Sequence, residues 1–265
     1  MDKPLVSIIT PCYNSAKWIE RYFKSILAQT YENIELIIIN DGSTDNTENI
    51  ILSYKNIFEG KGIKFVYNYQ ENAGVSEAIN AGLKIFKGEY LCWPDPDDYF
   101  EATAIERKVS ILENNKEYAV VTSDAYIRKI DDLNECVGMI AGDNENRFRE
   151  NQFDLLLNGD SVFCPICHLV RSSAFIDTNP NKTIYGARRA SNWQMLLPVY
   201  YKYKRYFLNE PLCNYIIHDN NISRGDDTEE KILFRIQEHL TILKNTLEKI
   251  NMPEEKKYFY LDLYL

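Results

Sequence analysis

No apolar stretch in this chain of 265 residues approaches the roughly 20 residues needed to cross a bilayer. The N-terminus also lacks the basic and then apolar pattern of a secretory signal. The expected compartment is therefore the cytoplasm or the inner face of the membrane. Basic residues are too few to balance the acids: 30 Lys and Arg against 39 Asp and Glu leave a formal net charge of −9. That argues against a nucleic-acid surface as the main partner. It also means that an anionic substrate needs local help, from a metal ion or from backbone amides. Internal repeats and low-complexity segments are absent, and aromatics are plentiful, which excludes wholesale disorder. The length suits one domain with at most a small appendage.

The six cysteines carry no extracellular signature, so reduced thiols are expected rather than a disulfide framework. Cys164-Pro165-Ile166-Cys167-His168 fits the patterns for haem attachment, a redox pair and half a zinc site. Haem attachment would need export. A redox pair wants a helix N-terminus, whereas Ser161 to Val170 reads as strand. Zinc lacks a second ligand pair at suitable spacing. Buried thiols on a core strand are the expectation.

The first hundred residues alternate strand and helix. Strands are predicted at Leu5–Thr10, Ile34–Ile39, Lys64–Tyr69 and Tyr90–Trp93, and helices at Ala16–Leu27, Asn46–Phe58, Gly74–Phe86 and Thr103–Asn114. This implies an α/β fold with a mostly parallel sheet, whose ligands bind beyond the carboxyl ends of the strands. Four polar punctuations lie at such ends: Tyr13-Asn14, Asn40-Asp41, Gln70-Glu71-Asn72 and Asp95-Pro96-Asp97-Asp98.

Beyond the strand Tyr118–Ile127 the alternation stops. Asp131 to Asn151 reads as a hairpin excursion or mobile loop, Phe153–Leu157 and Asn192–Tyr203 as helices, and Val162–Arg171 as strand. From Asp226 the chain is charged and amphipathic, with Ile232, Ile236, Leu240, Leu243 and Leu247 as a buried stripe. Covering its own core is the default for this segment. A second copy, another partner or a membrane surface is the alternative.

The acidic cluster carries the chemistry. Pro96 biases Asp95 toward an extended backbone, and side chains two apart then point the same way, roughly 6.6 Å apart along the chain. Two carboxylates held together repel unless a cation lies between them, and a hard divalent ion shared with substrate phosphates is a natural occupant. An acidic turn leading into the next helix is the plainer reading. Asp41 is placed as a fixed acceptor for an imide N–H or as the start of a turn, and Tyr13 as a stacking platform or a packing residue. Asn72 and Gly74 would offer amides to an anion or form an ordinary cap.

Together these residues resemble the family 2 inverting glycosyltransferases. The matching motifs are Val6 to Asn14, Asn40 to Asp45, Asn72-Ala73-Gly74, Ala78 to Gly82 and Asp95 to Asp98. The resemblance implies the GT-A fold, a Rossmann-like, mostly parallel sheet flanked by helices, with a C-terminal helical extension. It divides the chain into residues 1–225, with a nucleotide-sugar half (1–125) and an acceptor half (126–225), and a helical segment 226–265. It further implies a nucleotide-sugar donor, most often UDP-linked, and a glycan or lipid-linked acceptor in cell-surface polysaccharide assembly. Pro11, Tyr13, Asn14, Asp41, Asn72, Gly74, Asp95 and Asp98 would line the donor site. Asp97 would hold Mn²⁺ or Mg²⁺ on the diphosphate. His218, in Tyr215 to Ser223, resembles the late histidine that reaches the metal or the diphosphate; a surface histidine is the alternative.

Two departures stand out. Ile79 replaces a common Arg, and Asn192 stands where inverting members carry the Asp that serves as general base. An amide cannot take a proton from a hydroxyl near neutral pH. Asp160 could substitute as base, the acceptor could arrive ionised, or the protein could be a catalytically weak sugar-nucleotide-binding protein. Arg188 and Arg189, beside Asn192, could meet an anionic acceptor or form a solvated loop.

Overall fold

The structure, a computed structural model, describes residues 3–219, 221 and 228–264. The first half of the chain is built as the alternation predicts. Its elements are β1 (Val6–Cys12), α1 (Ile19–Leu27), β2 (Ile34–Asp41), α2 (Thr47–Gly60), β3 (Lys64–Gln70), α3 (Val75–Leu83) and β4 (Tyr90–Cys92). A short β5 (Tyr99–Phe100) and α4 (Ala104–Asn114) follow. Strands β3, β2, β1 and β4 lie side by side and parallel. Their carboxyl ends therefore share one rim.

These strands read as continuous apolar runs because both faces are covered. Along β1 and β2, Val6, Ile8, Leu36 and Ile38 enter one core beside Phe23 of α1 and Phe58 of α2. The alternate residues Ile9, Ile37 and Ile39 enter the opposite core beside Ala78, Ile79 and Leu83 of α3. Ile79, in place of a charged residue, is thus a core side chain at the edge of the cleft.

The second half is mixed. It comprises β6 (Tyr118–Lys129), β7 (Asp132–Met139), α5 (Phe153–Leu157), β8 (His168–Arg171), α6 (Ser172–Thr178), α7 (Ser191–Lys202), β9 (Lys204–Ile217), α8 (Glu229–Lys249) and α9 (Glu254–Tyr264). The sheet order is β3-β2-β1-β4-β8-β6-β9-β5, with β7 hairpinned on β6. β8 runs antiparallel to both β4 and β6.

Three expectations need correction. The strand expected over Val162–Arg171 shrinks to β8, because Pro165 fixes φ and opens a 3₁₀ turn over Pro165–Cys167. The C-terminal stripe holds only in its second half: Leu243 and Leu247 are buried in the core with Ile9 and Ile37, whereas Ile232 and Ile236 are exposed. And the long strand β9, paired in parallel with β6, was not foreseen. The boundary expected at 225/226, and Ile222 and Ser223 of the late motif, lie outside the described residues.

All six cysteines are free, and five, including Cys164 and Cys167, are buried. Burial pushes the Cys213 thiol well above its ordinary value, as expected of inert core sulfur. His168 is buried too, its Nδ1 2.9 Å from Thr122 Oγ1 and its Nε2 without a hydrogen-bond partner. Burial, and then the charges of Arg205 and Lys108, push its pKa down to about 3. The folded protein therefore keeps this ring neutral while the unfolded chain protonates it near 6.5. Its contribution is complete above that pH and is lost as pH falls, at about 1.4 kcal/mol per pH unit. Urea unfolding at pH 7.5 and 5 should show roughly 2 kcal/mol more acid destabilisation in the wild type than in His168→Gln. Equal losses would show that this histidine does not drive the effect.

Candidate functional site

The rim opens into a cleft of about 1060 Å³, large enough for a nucleotide-sized ligand and more. Its first wall is organised by Asp41, at the carboxyl end of β2. One carboxylate oxygen accepts from Gln70 Nε2 (2.7 Å) and the Ala73 amide (2.9 Å), the other from the Gly74 amide (2.8 Å). Asn72 Nδ2 donates to the Asp41 carbonyl at 3.0 Å. This closure needs Gly42, at φ +71°, since a Cβ there would stand 2.7 Å from the Asn72 nitrogen. The amides of Ala73 and Gly74, and that of Ser76, which donates to the Ala187 carbonyl at 3.3 Å, are taken by protein acceptors rather than left for an anion. Asn14 plays a clasping part: its Oδ1 accepts from the Thr44 amide at 2.8 Å, tying the first loop to the second. Tyr13 is half exposed over this wall, with Pro11 beneath the rim.

The acidic cluster supplies the floor. Asp95 and Asp97 both face the cleft. Asp98 turns inward, 99% buried, and accepts the Ile216 amide at 2.9 Å, which fixes β9 to the rim. Asp97 Oδ2 lies 2.9 Å from His218 Nε2 and 3.4 Å from Asn221 Nδ2. His218 is no surface histidine: its ring stacks on Trp18 at 4.4 Å and 16°, and the residue is 93% buried. Arg21 donates to the Asp97 carbonyl at 2.5 Å. Burial, and then the charge of Asp97, raise the pKa of Asp95 and also that of Asp98. Three carboxyls are thus held closer than their mutual repulsion favours.

Among the described residues no three His, Cys, Asp or Glu side chains converge into a complete metal cage. Asp97 and His218 fit a different arrangement, in which one or two protein ligands hold a divalent ion and substrate oxygens complete its shell.

The opposite wall comes from the segment before α7. Asn80 brackets Ile184 through both its amide atoms, and Gln194 does the same for Tyr185. The strap so held crosses α3, with the aliphatic part of Arg188 against Gly74. Asn192 Oδ1 accepts from the Trp93 indole at 2.6 Å. Arg189 pairs with Glu238 of α8 at 3.3 Å, and Arg235 and His239 of α8 also line the cleft. Asp160 is not brought here; it is exposed on the loop after α5. Sequence reasoning missed Trp18, Arg235 and His239. The four-residue spacing of Arg235 and His239 on one helix face was a usable signal, whereas nothing local ties Trp18 to His218.

The chain matches the sequence profile of glycosyl transferase family 2 over residues 7–178. It is 47% identical over 119 residues to an uncharacterized glycosyltransferase of Rickettsia typhi, covering 44% of this chain and 35% of that protein. It is 37% identical over 101 residues to the glycosyltransferase GlyA of Streptococcus pneumoniae, covering 38% of this chain and 14% of that one. The chain thus spans about a third or less of the length of these relatives. Its fold is that of the S. aureus TarS 1–349 crystal structure with UDP-GlcNAc, at TM-score 0.72 and 17% identity over 98% of this chain and 71% of that one. The mannosyltransferase PcManGT from Pyrobaculum calidifontis, in complex with GDP-Man and Mn²⁺, superposes at TM-score 0.64 and 16% identity, over 100% of this chain and 70% of that one. These likenesses give the architecture, GT-A.

Proposed function

This chain belongs to glycosyl transferase family 2, and on that premise we propose that it moves a sugar from a nucleotide-sugar donor, UDP-linked, to a glycan or lipid-linked acceptor. The transfer is metal-dependent, inverts the anomeric centre and serves cell-surface polysaccharide assembly. The observation that carries this reading is the pairing of Asp97 with His218 at 2.9 Å across 121 residues of sequence, beside Asp95 in a cleft of nucleotide-sugar size.

The residues divide the work. Tyr13 offers its ring to the base, and Asp41, already set by three N–H donors, keeps one oxygen with capacity for the base imide. Asp97 and His218 would hold Mn²⁺ or Mg²⁺. When bound, the ion supplies Lewis-acid neutralisation of the charge that develops on the departing diphosphate. Trp18 fixes the plane of His218, and Asn221 fixes the Asp97 carboxylate. Asp95 stands nearer the ribose and sugar.

A thermal-shift panel of UDP-glucose, UDP-galactose, UDP-N-acetylglucosamine and GDP-mannose, with Mn²⁺ or with EDTA, tests the reading. Ligands that bind only the folded form raise its stability. The expected result is a shift of several degrees for a UDP compound that disappears in EDTA. Equal shifts in EDTA would remove the metal from the account, and no shift with any donor would remove the donor.

A further inference from the structure

Arg205, the second residue of β9, is 1% exposed, and its guanidinium is provided for on one side only. Nη2 donates to the carbonyls of Arg147 at 2.7 Å and Arg149 at 3.2 Å, whereas Nε and Nη1 have no acceptor among the described residues. No carboxylate is therefore hydrogen-bonded to it. Burial pushes its pKa down, yet an arginine stays charged inside a protein. A buried charge without a counter-charge is among the costliest arrangements a fold can hold.

The surroundings repeat the pattern. The guanidinium leans along β9 over the ring of Phe207, 5.3 Å from its centroid. Phe207 stands opposite Thr122 of β6, which in turn stands opposite His168 of β8. One row across three strands thus carries both the guanidinium and the imidazole. With Thr122 Oγ1 donating to Nδ1 at 2.9 Å, the neutral His168 ring keeps its proton on Nε2, which is buried without an acceptor. The buried hydroxyl of Tyr200, on α7, lies near Thr122 and in range of the Arg205 charge, and makes no well-formed hydrogen bond. A water placed here needs acceptors for its own two hydrogens, which a row of donors supplies poorly. An anion accepts from every side.

We propose that this row is a binding site for one anion of halide size, chloride, held by Arg205 Nε and Nη1, by His168 Nε2 and by the Tyr200 hydroxyl. The ion neutralises the guanidinium. It receives the proton that the neutral ring already carries, so it asks for no charge on His168. The walls set the size. Val120, opposite Arg205, and Phe207 are buried apolar side chains, and a tetrahedral oxyanion would turn unsatisfied oxygens onto them. A spherical halide needs no directed partner on that side. The site lies behind the cleft rather than in it: the His168 ring packs at 5.8 Å on that of Phe163, which lines the cleft. It stands whether or not the chain transfers a sugar.

The full chain is melted in about 0.3 M sodium salt, with gluconate replaced stepwise by chloride at constant ionic strength. Chloride should raise the wild-type melting temperature by about 5 °C, since an ion bound only by the folded form stabilises it. Bromide should do the same. Arg205→Met, which fills similar space without a charge, should melt at one temperature in all three salts. A wild-type crystal grown in bromide should show an anomalous peak beside Arg205 Nε and His168 Nε2, a readout that does not depend on the variant's folding. Equal wild-type melting in chloride and gluconate overturns the site, as does a chloride response that survives Arg205→Met. A water in place of the bromide peak overturns it too, and a larger response to phosphate than to chloride overturns the halide.

Discussion

Asp97→Ala should erase the Mn²⁺-dependent part of the donor-induced thermal shift and cut transfer by at least about 10³-fold, the scale of losing an electrostatic stabiliser of the departing group. Without a ligand, Asp97 is unfavourable to its acidic neighbours. It raises the pKa of Asp95 and of Asp98, after the larger effect of burial, so in the empty protein it is a source of repulsion. Its favourable contacts are with His218, Asn221 and, through its backbone, Arg21. Truncation removes the first two and keeps the third. The unliganded variant should therefore melt at or slightly above the wild-type temperature while its function collapses. A residue with a merely structural role would lose stability and activity together. Asp97→Asn, which keeps the shape and discards the charge, should behave like the alanine variant. A variant that kept the full Mn²⁺-dependent shift would move the cation site elsewhere in the cleft.

The first half of the chain was legible because each of its strands is covered on both faces. Ile34 to Ile39 can only be a buried strand, and the polar residues that end β1, β2, β3 and β4 had to meet on one rim once those strands were parallel. The second half hides its elements. In β9 the register slips where Leu208 opposes Ser123 and Pro211 opposes Asp124. Asn209-Glu210-Pro211 therefore reads as a turn, although it is a bulge inside a strand of 14 residues. In α8 the helical period was right, but period alone cannot say where the stripe finds a partner. Leu243 and Leu247 meet the core beneath α7, while Ile232 lies beyond its edge. The site itself divides the same way. Asp41, Asp95 and Asp97 follow from motifs at strand ends, whereas the Trp18–His218 stack joins residues 200 positions apart and leaves no local trace.

Asp41→Asn should cost about 3 kcal/mol of stability and weaken donor binding about 100-fold, because one substitution undoes two roles. The carboxylate accepts three N–H groups on its two oxygens. An amide has a single acceptor atom, so whichever way it is turned its NH₂ confronts the amide of Gly74 or that of Ala73. A backbone donor left unsatisfied costs about 1–3 kcal/mol, and the charge-assisted character of the remaining bonds is lost as well. For a domain of this size that corresponds to a melting temperature roughly 6–12 °C lower. The same loop carries Gly74, against which Arg188 packs, so loosening it disturbs the cleft at both walls. Direct recognition of the base separates from this loosening by comparison with Gly42→Ala. There the new Cβ, 2.7 Å from the Asn72 nitrogen and at φ +71°, displaces the loop but leaves the carboxylate intact. At matched losses of stability, measured by urea unfolding, Asp41→Asn should bind a UDP-sugar at least about 10-fold more weakly than Gly42→Ala, since it also loses the acceptor for the imide. Equal donor affinities in the two variants would leave Asp41 as the loop's anchor and assign recognition of the base to another group.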